Sequence, residues 1–70
     1  MDFLKKAQIR ITNWIGHNEH HQEEYELFAD RLEREGKKEI AIRIIEMAAL
    51  TAKSNEALSL ALEVLEKDDK

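Results

Sequence analysis

The sequence contains no cysteine, no proline and only two glycines. Without cysteine there can be no disulfide and no thiolate metal site, and a reducing compartment is the expectation. No apolar run approaches the ~18 residues of a membrane span. The opening "MDFLKKAQIR" has no signal-peptide core, because charge and polarity interrupt it at once. These absences predict a soluble, cytoplasmic protein with no membrane partner. A basic stripe is also missing: net charge is -4, with acids and bases interspersed, which argues against nucleic acid. No glycine-rich phosphate loop exists, and Ser54 and Ser59 have no histidine near them in sequence.

What remains is a chain of 70 residues, 37% charged and 43% hydrophobic, a mixture that suits helices rich in Glu, Lys, Leu, Ile and Ala. Such a chain is one small domain, 1–70, and buries too little surface to be comfortably stable alone. With disulfides excluded, a metal, oligomerisation or unusually good helix packing must contribute.

Gly36, in "EREGKKE", is the strongest stop signal, able to take the left-handed conformation at a helix end. Arg34 lies in the last turn before it, where a cation complements the helix dipole. Apolar residues then recur at alternating spacings of four and three: Ala7, Ile11, Trp14, Tyr25, Phe28 and Leu32 before the stop. The gap in that series is filled by Asn18 and His21. After the stop the same spacing gives Ile40, Ile44, Met47, Thr51, Ser54, Leu58, Ala61 and Leu65. Folding the chain at Gly36 sets Leu32 against Ile40, Phe28 against Ile44 and Tyr25 against Met47. His21 then meets Thr51, Asn18 meets Ser54, and Trp14 meets Leu58. The agreement of apolar with apolar and polar with polar predicts an all-α, long antiparallel hairpin, helix about 3–35 and helix about 37–66.

The second arm carries more apolar residues than one seam needs, Ile42, Ile45, Leu60 and Val64 among them, so it must be covered from more than one side. Two hairpins forming a homodimeric four-helix bundle would cover it. The alternative breaks the chain near Ser54, with "KSNEA" as a helix start, and gives three helices. Gly16 could also mark a kink. The closing "EKDDK" reads as a frayed tail.

All three histidines lie within "HNEHH", residues 17–21. His17 and His21 are one turn apart on one helical face and can grip one divalent ion. His20 points away from His21 and toward solvent on the same spacing. The arrangement lacks the fixed glutamate of H-E-x-x-H, so a zinc protease is not the expectation. Glu24 is placed to share an ion with His21 or to orient its imidazole. Across the hairpin, Asn55 and Glu56 are the further candidate ligands. Imidazole with carboxylate suits zinc, nickel, iron or copper. The metal set is therefore His17, His21, Glu24, Asn55 and Glu56. Beside it stands a metal-free alternative, a homo-oligomerisation or protein-interaction module whose polar layer fixes register. No nucleophile–base pair or complete metal-water site is readable, which leans against an enzyme.

The stretch "WIGHNEHHQEEYELFADRL" with the later "SNEALSLAL" resembles a group of small uncharacterised prokaryotic helical domains. That group carries an H-W-I-E-H-N-E-x-H-type segment and a downstream N-E-A-L run. The resemblance covers about residues 13–62 and matches His17, Asn18, Glu19, His21, Asn55 and Glu56. Asn13 stands where the pattern has an earlier histidine, and Gly16 replaces a good helix former. The resemblance implies a helical fold and a set of residues, without an activity.

Overall fold

The computed structural model describes residues 2–68. They form two helices, α1 (Asp2–Arg34) and α2 (Lys38–Asp68), packed along their length as an antiparallel hairpin. Both are continuous. No break occurs at Ser54, so the three-helix alternative does not hold, and α1 runs through Gly16 without interruption. Helix α2 also continues through Glu66, Lys67 and Asp68, in place of the expected frayed tail; Asp69 and Lys70 lie outside the described residues.

The reversal is built by backbone hydrogen bonds around Gly36, whose φ is 80°. Lys37 N–H donates to the Leu32 carbonyl at 2.8 Å and Gly36 N–H to the Glu33 carbonyl at 3.0 Å. This is the paired pattern of a Schellman C-cap, which satisfies carbonyls the helix end would otherwise leave open. Arg31 and Arg34 occupy the last turn of α1, on the negative end of its dipole. In α2 the first turn carries Glu39, which suits the positive end.

The seam between the helices differs from the expected one by a single residue at every second step. Its less exposed positions in α1 are Leu4, Ala7, Gln8, Ile11, Ile15, Asn18, Gln22, Tyr25, Ala29 and Leu32. In α2 they are Ala41, Ile44, Ala48, Thr51, Ala52, Asn55, Leu58, Leu62 and Leu65. Ala7, Ile11, Asn18, Tyr25, Leu32, Ile44, Thr51, Leu58 and Leu65 are therefore in the seam as expected. Trp14, His21, Phe28, Ile40, Met47, Ser54 and Ala61 are not; each sits one residue away and is exposed.

The cause is packing. Among the described residues only Ala29, Ala41 and Ala48 are buried, and a methyl group lets two helix backbones approach closely where Phe28, Ile40 or Met47 would hold them apart. The polar layer is likewise Asn18 with Asn55 rather than Asn18 with Ser54. Asn18 Nδ2 donates to Asn55 Oδ1 at 2.9 Å, and Asn55 Nδ2 donates to the Ile15 carbonyl at 3.1 Å. The Thr51 hydroxyl donates to the Met47 carbonyl at 3.0 Å, within its own helix.

The result is long and thin, 53 × 14 × 11 Å with a radius of gyration of 16.0 Å, against about 11 Å for a compact domain of this length.

Candidate functional site

The displaced residues define a surface. Helical phase puts Trp14, His21 and Phe28 on one flank of the α1 seam, and Ile40, Met47, Ser54 and Ala61 on one flank of the α2 seam. The opposite flanks can be identified because they share grooves: Glu33 with Ile42, Ile45 and Ala49, and Glu19 with Ala52, Asn55 and Glu56. The first set therefore shares the other broad face. The two faces differ in charge. On the grooved face α1 contributes Glu19, Glu23, Glu26, Asp30 and Glu33, an acidic edge. On the other, the α1 row beside the seam is uncharged unless its histidine is protonated. Trp14 is 50% exposed there, Phe28 55% and Ile40 51%.

His21 stands at the middle of that face, seven residues from Trp14 and seven from Phe28. Its neighbours hold it from several sides. The ring stacks on Tyr25, with centroids 6.0 Å apart and planes 14° from parallel. Tyr25 is partly covered in the seam, so it is an anchored support. His21 Nδ1 lies 2.8 Å from Glu24 Oε1. With Nδ1 as the donor to that carboxylate, Nε2 keeps its lone pair free. His17 lies edge-on, 6.0 Å away between centroids. His20 is solvent-exposed, as expected, and its Nε2 lies 3.7 Å from Glu24 Oε2.

The five residues expected around a metal thus separate into two groups. His17, His21 and Glu24 are contiguous on α1. Asn55 is committed elsewhere, because both ends of its carboxamide are used in the layer with Asn18 and the Ile15 carbonyl. Glu56 lines the groove with Ile15 and Glu19, whereas His17 lines an open surface with Thr12, Asn13, Gly16, His20 and His21. Glu56 and the histidines are on different flanks. Among the described residues, no group of three or more His, Cys, Asp or Glu in one chain is arranged to hold a metal ion. No helix among them is long and apolar enough to cross a membrane.

What sequence reasoning missed is the exchange of neighbours along the seam. A small residue next to a large one, Phe28–Ala29, Ile40–Ala41 and Met47–Ala48, signals that the small residue goes inward and the large one stays exposed.

Residues 7–65 match the family model described as a domain of unknown function, DUF8180. No curated protein and no solved structure matches the chain.

Proposed function

The chain belongs to the DUF8180 family of domains of unknown function, and from that premise and the geometry above we propose that it is a self-associating module. Two hairpins pack through the Trp14–His21–Phe28 face into a four-helix bundle. The observation that carries this reading is surface left uncovered. A compact monomer of 8.2 kDa exposes about 4,500 Å², whereas this chain exposes 5759 Å². The excess of roughly 1,200 Å² is more than the ~800 Å² per partner of a standard stable interface. A strip 53 Å long and two helices wide, about 20 Å, has room for such an interface.

A second copy suits this face for two reasons. First, the face is self-complementary. Rotation by 180° about an axis across the helices at the level of His21 lays α1 on α1 of the other copy in the opposite direction. Trp14 of each copy then falls over Phe28 of the other, because both are seven residues from the axis. Every neighbouring pair of helices in that bundle is antiparallel, which also suits their dipoles. Second, the alternative face would bring the acidic edges of two copies together, Glu19, Glu26 and Glu33 among them, which is unfavourable.

Sedimentation equilibrium at micromolar concentration in metal-free buffer tests the reading. The expected mass is twice that of the chain. A helical species of single-chain mass across that range would overturn it, and a chain that stays single until an unrelated protein is added would assign the face to that partner instead.

A further inference from the structure

We propose that the assembled bundle holds one divalent transition-metal ion, of the zinc or nickel class, on its two-fold axis, bound by His17 and His21 of both copies. The inference rests on the self-association proposed above. It explains why a single chain has an incomplete donor set: each chain offers two imidazoles, and a closed tetrahedral site needs four ligands.

Three observations on α1 converge on His21. Glu24 Oε1, 2.8 Å from Nδ1, is placed as ligand histidines are usually supported, with a carboxylate accepting from the nitrogen away from the metal. That bond fixes the tautomer and leaves Nε2 as the donor. Tyr25 lies alongside the same ring, near-parallel at 14° with centroids 6.0 Å apart, on the side away from His17. His17 is one turn away with its ring centre at 6.0 Å. Two imidazoles sharing an ion at ~2.0–2.1 Å from each nitrogen have ring centres roughly 5 Å apart, a closure that side-chain torsions on an exposed helix face supply. The bland alternative is an exposed i, i+3 hydrogen bond and nothing more. It does not account for the location of His21, midway between the two large aromatic residues of the face.

Charge favours the ion as well. Each chain carries a net -4, and Glu19, Glu23 and Glu24 flank the histidines in sequence, so a divalent cation at the axis offsets repulsion between two acidic copies. Glu24 acts here as a positioning residue through His21, not as a ligand.

The experiment combines calorimetric titration of the full chain with zinc sulfate and sedimentation equilibrium with zinc or with EDTA. Expected are one zinc per two chains and a dimer dissociation constant at least tenfold lower with zinc. His21→Ala is expected to abolish zinc binding and to remove any difference between that variant's own dissociation constants with zinc and with EDTA. Glu24→Gln is expected to weaken zinc binding tenfold to a hundredfold and to leave the metal-free dissociation constant within twofold. The chain has one tryptophan, three residues from His17, so nickel at the site should also quench Trp14 fluorescence, and His17→Ala should remove the quenching. A dimer that forms in EDTA and neither binds zinc nor tightens with it overturns the metal site alone. One zinc per chain with no change in association places the ion off the axis and also overturns it. A single-chain species with and without zinc sinks the self-association reading, and this inference with it.

Discussion

Two glycines have opposite duties. At Gly36 the backbone φ is 80°, a conformation that a Cβ disfavours. Gly36→Ala is therefore expected to destabilise the hairpin by about 1 kcal/mol even though a Cβ there would meet nothing within 4 Å. Gly16 has ordinary helical φ, and a Cβ added to it would likewise meet nothing within 4 Å, so it weakens α1 without serving a turn. Gly16→Ala is expected to stabilise by about 1 kcal/mol. For a domain of this size each change moves the melting temperature by roughly 4–8 °C, downward for Gly36→Ala and upward for Gly16→Ala. Circular dichroism at fixed concentration reads both, and equal shifts of one sign would contradict the distinction. The exposed ion pairs, Arg34 with Asp30 at 3.2 Å and Arg43 with Glu46 at 2.7 Å, contribute little by comparison.

At the level of the helices, the polar layer sets register. The seam is a 4-3 repeat of mostly small and aliphatic residues, and apolar contacts alone tolerate a slip of one layer. Asn18, Asn55 and the Ile15 carbonyl do not, because a slip strands three hydrogen-bonding groups. Asn55→Ala should cost about 1–3 kcal/mol by leaving its two partners without their bonds. Asn18→Leu with Asn55→Leu should recover or exceed the original stability, at the expense of a unique pairing. Urea unfolding measures the first effect, and extra amide peaks in a nitrogen–proton spectrum reveal the second. A double variant as unstable as Asn55→Ala, with one clean set of peaks, would show that the layer does not select register. The hairpin, its turn at Gly36 and half of the seam were legible in the sequence because a stop signal and a heptad period are local features. The other half was not, for a physical reason. Periodicity ranks candidates by apolar bulk and so favours Phe28, Ile40 and Met47, whereas close helix approach selects the adjoining Ala29, Ala41 and Ala48. The same one-residue displacement moved His21 out of the seam and onto the face. His17, His21 and Glu24 were legible from helical spacing alone; the commitment of Asn55 to Asn18 was not, since it depends on which residues meet across the hairpin.

For the molecule as a whole, bulk left outside the seam is the quantity to explain, and a comparison of neighbouring residues isolates its role. Leu27 and Phe28 are adjacent on α1 and both exposed, at 71% and 55%. Leu27 lies on the side away from α2, while Phe28 lies on the proposed contact face. Phe28→Glu places a carboxylate where Trp14 of the other copy would sit, and burying that charge without a partner is strongly unfavourable. It should convert the bundle to single chains at micromolar concentration and abolish the dependence of melting temperature on concentration that an associating protein shows. Leu27→Glu adds the same charge one residue away and should leave both properties as they were. If the two variants sediment alike, whether both as dimers or both as single chains, the contact does not run through the Trp14–His21–Phe28 face, and the excess surface of the hairpin must be covered from another side.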